Sequence, residues 1–124
     1  MILFTSNLSV QTCLDKPTYT FVFGDNLIGR GMAGQANIRN CPNSFGVPTK
    51  RLPSMRGDAF FSDKQSEYDI VLAKLVELWN IHLSGGTIVL PQNMIGSGLA
   101  KLQYNSPTIW NLIVRFYTRA KQIK

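Results

Sequence analysis

Hydrophobic and polar positions change period several times along the chain, and each change marks an element. Met1 to Phe4 is a short apolar run followed by polar Thr5, Ser6 and Asn7, the pattern of a strand and its exit. After Lys16-Pro17, the β-branched and aromatic run Thr18 to Phe23 has the composition of a strand packed on both faces. It enters Gly24-Asp25-Asn26 and a glycine-dense turn, Gly29 to Gly34. Gln35 to Arg39 then predicts a brief helix, ended by Asn40-Cys41-Pro42-Asn43. Ser44 to Lys50 predicts a short strand ending near Thr49, because Pro48 cannot donate to a ladder. Leu52 to Asp63 reads as a loop carrying an exposed pair, Phe60-Phe61, and loops that long in small domains are usually functional.

Helical spacing then sets in. Ser62 with Gln65 makes a capping-box signature, and Tyr68, Val71, Leu72, Leu75, Leu78 and Trp79 recur at helical spacing up to the terminator Gly85-Gly86. Thr87 to Leu90 is short enough for one buried strand, closed by Pro91. With the preceding strand and helix it predicts a β-α-β unit around Val47, Leu75 and Val89. Ser106 as N-cap and Pro107 at the first helical position start a last helix, whose buried stripe is Ile109, Ile113, Phe116 and Ala120. The order β, β, short α, β, α, β, α is that of an α/β domain, a sheet between helices, in a single unit spanning residues 1–124.

Composition narrows the classes. A chain of 124 residues, 44% of them hydrophobic, can bury one core but hardly two. No apolar run approaches the roughly 20 residues that cross a bilayer. The opening MILFTSNLSV lacks the charged flank and long apolar centre of an export signal, so a soluble cytoplasmic protein with no membrane partner is expected. Cys13 and Cys41 are too few for a disulfide framework and lack metal-ligand spacing, and His82 is the only histidine. The expectation is therefore no metal site, no cofactor and no His-based triad. A formal net charge of +6 suits an anionic partner, whether nucleotide, nucleic acid or acidic protein.

The candidate chemistry lies at strand ends. In Ile95-Gly96-Ser97-Gly98-Leu99, two glycines let backbone N–H groups converge into a nest that suits phosphate. Ligands of open α/β sheets bind beyond the carboxyl ends of strands, where this loop falls. The same residues also suit a plain strand-ending turn. The Gly24 to Gly34 loop and the loop after Lys50 leave strand ends as well, and with parallel neighbouring strands all three line one crevice.

Gly24-Asp25 after a strand, the glycine-rich turn into Ala36-Asn37-Ile38-Arg39, and the Ile95 to Leu99 loop together resemble the macrodomain, a family that binds ADP-ribose. The closer likeness is to its terminal ADP-ribose protein glycohydrolase branch. Val47-Pro48-Thr49-Lys50 matches that branch's strand-ending lysine. Gly98-Leu99-Ala100-Lys101-Leu102-Gln103-Tyr104 follows its phosphate loop at every position but Ala100, where the branch has aspartate. The likeness covers roughly Phe21 to Phe116. It implies a compact three-layer macrodomain-like α/β fold, a mixed sheet flanked by helices.

For the site, the resemblance implies a ligand-facing set that includes Gly24, Asn26 and Thr49. It implies that Asp25 accepts from the adenine amino group, although an Asx turn would employ the same carboxylate. Gly31, Met32, Ala33 and Gly34 would approach the distal ribose and the diphosphate, and Ile95, Gly96, Ser97, Gly98 and Leu99 would cradle the diphosphate through main-chain N–H groups. Lys50 matches the catalytic lysine, whose neutral amine attacks the anomeric carbon of the distal ribose. That chemistry needs a depressed pKa, from desolvation or from a neighbouring cation such as Arg51 or Lys101. With Ala100 in place of the proton-shuttling aspartate, turnover by this route loses about 10² to 10⁴ in rate unless Asp25, Asp58 or Asp63 moves in.

The expected function is binding of ADP-ribose or a related adenine nucleotide, with de-ADP-ribosylating activity through Lys50 left open, and ADP-ribosylated protein or nucleic acid as partners. Two other classes stay open. One is a basic nucleic-acid-binding module. There Arg30, Arg39, Arg51, Arg56 and the C-terminal Arg115, Arg119, Lys121 and Lys124 would contact phosphates, and Phe60, Phe61 and Tyr104 would stack on bases. The other is a protein-interaction domain with a sealed crevice. The scatter of basic residues along the chain favours the nucleotide binder.

Overall fold

Each connection between successive strands contains a helical segment, and this makes the sheet parallel, because parallel neighbours need a crossover rather than a hairpin. The computed structural model describes residues 1–123. Its strands are β1 (Ile2–Thr5), β2 (Thr20–Asn26), β3 (Ser44–Lys50) and β4 (Ile88–Pro91), in the spatial order β1-β4-β2-β3. All three neighbouring pairs are parallel, so the sheet is not the mixed one expected; the sole antiparallel pairing among the described residues is an isolated bridge from Lys50 to Phe60. The helices are α1 (Val10–Asp15), α2 (Gln65–Leu83), α3 (Leu102–Asn105) and α4 (Pro107–Lys121), with 3-10 turns at Gly34–Ile38 and Gly57–Ala59.

Alternation along the strands divides the interior in two. Val22, Val47, Ile88 and Leu90 face one side, where they pack with Val71, Leu75 and Leu78 of α2 and Ile109, Ile113 and Tyr117 of α4. Phe21, Phe23 and Val89 face the other, against Cys13 of α1 and Ala36, Ile38 and Cys41 around the first 3-10 turn. The arrangement is three layers deep. Val89 therefore points away from α2 rather than joining Val47 and Leu75, and β3-α2-β4 spans the sheet across β2 instead of pairing neighbours.

Some sequence expectations give way for local physical reasons. Phe61 is not exposed but 1% accessible, drawn into the larger core next to α2, while Phe60 stays partly covered and lies over the Lys50 ammonium. Helix α2 starts at Gln65 rather than from a Ser62–Gln65 box, because the Glu67 carboxylate accepts from the N–H groups of Ser62 (2.9 Å) and Lys64 (3.1 Å). In α4 the buried stripe passes through Tyr117 instead of Phe116, since the Tyr117 hydroxyl reaches inward to donate to Pro91 O at 2.9 Å. Ser106 does not cap α4 with its own side chain. It accepts from Asp63 N–H, and the Asp63 carboxylate caps α4 by accepting from the N–H groups of Thr108 (3.0 Å) and Ile109 (3.1 Å). Helix α1 was not foreseen: it has six residues and one buried side chain, too little for a periodic stripe, though Ser9 Oγ caps it through Thr12 N–H. No helix among the described residues is long and apolar enough to cross a membrane.

Candidate functional site

Of the four strand exits at the C-terminal edge of the sheet, those after β2, β3 and β4 surround a crevice of about 400 Å³. Its lining includes Gly24, Asp25 and Asn26 of β2, Gly31, Ala33 and Gly34 of the following turn, Thr49 and Lys50 of β3, and Gly96, Gly98 and Leu99 after β4. Three residues of the expected set lie outside it. Met32 is exposed, Ile95 is fully buried in the larger core, and Ser97 Oγ donates to Met94 O at 2.6 Å. Arg30, Gln35, Pro53, Ser54 and Met55 line it without having been singled out as ligand residues. Their sequence signal was position, in the long loop after Lys50, in the turn before the short helix for Arg30, which the nucleic-acid reading also named, and at the start of that helix for Gln35.

Of the glycines on the crevice floor, Gly24 sits at ordinary contact distance from its neighbours, and Gly96 alone is constrained by close approach. A Cβ on Gly24 would stand 3.6 Å from Thr49 Oγ1 and 3.7 Å from Gly96 N, so β2, β3 and the β4 loop converge there. Gly96 has φ +84°, and a Cβ on it would stand 2.8 Å from Leu102 Cδ2. Gly98 has nothing within 4 Å of that position. A side chain at Gly98 would therefore enter the open crevice, whereas one at Gly96 would strain the fold.

The first half of the turn after β2 spends its polar groups on itself. Asn26 Nδ2 donates to Arg30 O (2.7 Å), and Asn26 Oδ1 accepts from Ile28 N–H and Arg30 N–H. Arg39 donates from Nε to Gly31 O (2.9 Å) and pairs with Asp25 Oδ1 at 2.6 Å, an oxygen that also accepts from Asn26 N–H. The β2–β3 register slips between Asp25 and Asn26, turning this corner toward the crevice. Asp25 thus has one carboxylate oxygen committed to Arg39 and Oδ2 left over.

Among the described residues the N–H groups of Gly31 to Gln35 in the turn after β2 meet no acceptor, and the loop after β4 leaves donors over as well. Among the described residues, the N–H groups of Gly96, Gly98, Leu99 and Ala100 meet no acceptor, and all four residues line the crevice. The loop's shape is set by its other groups: Leu102 N–H donates to Gly96 O (2.9 Å), Lys101 N–H to Gly98 O (3.1 Å), and Gln103 Nε2 to Ser97 O (3.2 Å). A concave run of unspent donors is an anion nest.

Lys50 is 8% accessible, and among the described residues its ammonium has no carboxylate partner. It donates to Ser54 O and lies 4.9 Å from the centre of the Phe60 ring. Burial lowers its pKa from 10.5. Of the neighbouring cations, Arg51 is turned to Glu67 (2.7 Å) and Lys101 does not line the crevice, so desolvation is the operative cause. Asp58 is exposed beside Arg56 and Asp63 caps α4, which leaves Asp25 as the one carboxylate among the three that lines the crevice.

The groups named for the nucleic-acid reading fall in several settings. Arg39 and Arg51 are held in ion pairs, Phe61 is buried, and Arg119 stacks over Trp79 at 5.3 Å, while Lys124 lies outside the described residues. No group of three or more His, Cys, Asp or Glu among the described residues is gathered to hold a metal ion.

These features define a parallel-sheet α/β domain with a ligand-sized crevice beyond the carboxyl ends of its strands, the usual place for binding in such sheets. The chain belongs to DUF7831, a family of unknown function, whose model matches residues 3–116. No curated protein and no solved structure matches it.

Proposed function

We propose that this crevice binds ADP-ribose or a related adenine nucleotide diphosphate, in a macrodomain-like domain. The observation that carries the reading is the unspent N–H run at Gly96, Gly98, Leu99 and Ala100 together with Lys50, a buried cation without a carboxylate. Main-chain donors would cradle the diphosphate, and a bound phosphate would supply the counter-charge that Lys50 lacks. Asp25 Oδ2 is the acceptor left for a ligand's amino group.

Lys50 carries the catalytic side of the proposal. Its lowered pKa raises the fraction of neutral amine, which would attack the anomeric carbon of a distal ribose, forming a C–N bond as the ester oxygen leaves as carboxylate. Ala100 can neither donate nor accept a proton, so binding comes first and hydrolysis of ADP-ribosyl groups on protein or nucleic acid is slow. A cytoplasmic location belongs to the same reading.

Calorimetric titration with ADP-ribose, AMP and a short oligonucleotide tests it. ADP-ribose should bind most tightly and with modest salt dependence, because two phosphates release few counterions. Equal binding of AMP would remove the diphosphate and distal sugar from the proposal. Tight oligonucleotide binding with a steep salt slope would replace the proposal with the nucleic-acid module.

A further inference from the structure

The cage around the Lys50 ammonium is built from neutral partners, all on the chain that follows it. Ser54 O accepts from Nζ, the Met55 sulfur lies 3.8 Å from it, and the centre of the Phe60 ring lies 4.9 Å away. Of the charged groups that share the crevice, Asp25 is paired to Arg39 and Arg30 is a second cation. Met55 is the chemically changeable member of the cage. It lines the crevice and is 52% accessible, so its thioether meets solvent and whatever oxidant the solvent carries. Of the other three methionines, Met1 and Met32 are about as exposed, and Met94 packs against the core. Among the described residues, Met55 is the one methionine whose sulfur meets a hydrogen-bond donor, and that donor is Lys50.

We propose that Met55 is an oxidation site that controls the crevice: conversion to the sulfoxide by hydrogen peroxide gives Lys50 a strong acceptor and takes its ammonium away from ligand phosphate. The sulfur lone pair attacks one peroxide oxygen, and an S–O bond forms as the O–O bond breaks. The departing oxygen leaves as water with both protons, so sulfur loses two electrons and the peroxide gains them. A thioether is a weak acceptor, whereas a sulfoxide oxygen is strongly polar. Carried by a flexible side chain whose sulfur already lies 3.8 Å from Nζ, that oxygen comes within hydrogen-bond reach of the ammonium. The charged form of Lys50 is then favoured, which opposes the effect of its burial, and a phosphate has to compete for it. A dithiol, becoming a disulfide as the oxygen leaves as water, restores the thioether.

Limited treatment of the whole protein with hydrogen peroxide tests this, with peptide mass spectrometry to locate the added oxygen. Two readouts follow: the acetylation rate of the Lys50 amine, which needs no nucleotide, and ADP-ribose affinity, which rests on the nucleotide reading. In the wild type, oxygen on Met55 should slow Lys50 acetylation at neutral pH by about tenfold and weaken ADP-ribose binding by about tenfold. A dithiol-dependent methionine sulfoxide reductase should reverse both. Met55→Leu keeps Met1 and Met32, which still take up oxygen, yet peroxide should leave its Lys50 reactivity and its affinity as they were before treatment. Met55→Gln, with a permanent amide oxygen near Lys50, should behave untreated as the oxidised wild type does. Lys50 acetylation indifferent to oxygen on Met55, or a response that persists in Met55→Leu, overturns the proposal. So does a Met55 that stays reduced while Met1 and Met32 oxidise, or an ADP-ribose affinity that ignores the oxidation. If ADP-ribose binds no form while the amine responds, the nucleotide reading falls and Met55 stands as an oxidation site acting on Lys50.

Discussion

The two glycine loops that flank the crevice look alike in composition and differ in what holds them. Between Asn26 and Arg30 the chain consumes its own polar groups, with Asn26 tying down Arg30 and Arg39 tying down Gly31 O and Asp25, while among the described residues the N–H groups of Gly31 to Gln35 meet no acceptor. Between Gly96 and Ala100 the fold is shaped by carbonyls accepting from Lys101, Leu102 and Gln103, and the N–H groups are left over. What separates a scaffold from a cradle is which half of each peptide the rest of the structure has used.

The comparison can be broken most sharply at the end of the second loop. If Lys50 is a nucleophile lacking only its proton shuttle, Ala100→Asp places a carboxylate in the same crevice and should raise hydrolysis of an ADP-ribosyl ester by about 10²-fold. Adding Lys50→Ala should erase the gain. A folded Ala100→Asp protein with no added activity would reduce Lys50 to a phosphate partner.

The next effect belongs to the scaffold loop. Arg39→Ala should destabilise the protein by roughly 2–3 kcal/mol in urea denaturation, because Asp25 keeps a mostly buried charge without its partner and Gly31 O loses its donor. An unchanged midpoint would mean that the turn holds itself. In the cradle loop the opposite pattern is expected. Gly98→Val should leave stability within about 0.5 kcal/mol but weaken ADP-ribose binding by about tenfold, since its side chain enters open space in the crevice. Gly96→Val, equivalent by sequence, should fail through clash with Leu102 and its positive φ, so it cannot report on binding.

The smallest effect concerns the cation between the loops. Lys50→Met should raise stability at neutral pH by roughly 1 kcal/mol by removing a buried charge that has no carboxylate. Its folded pKa is lowered below the unfolded value of 10.5, so in the window between the two the unfolded state holds the extra proton. Wild-type stability gained from Lys50 deprotonation is complete above 10.5 and lost as pH falls through the folded value. The advantage of Lys50→Met should therefore shrink as pH rises toward 10.5. A constant gap would show that Lys50 is as well solvated as a surface lysine.

The sequence alone determined the elements whose signals are local. Short apolar and β-branched runs marked all four strands, helical spacing marked the long helices α2 and α4, Pro107 and Gly85-Gly86 marked boundaries, and the glycine loops with Lys50 marked three of the strand exits, because backbone preference and side-chain periodicity act over a few residues. Only tertiary structure decided the rest. That β4 inserts between β1 and β2, that Val89 faces away from α2, and that Phe61 is buried depend on which distant faces pack together. So does the difference between Asn26 and Gly98: hydrogen bonds to Arg30 O and from Arg39 hold the first half of one loop, while residues 101–103 shape the other and leave its donors free. Donor accounting is a property of partners brought together by the fold, and no spacing along the chain encodes it.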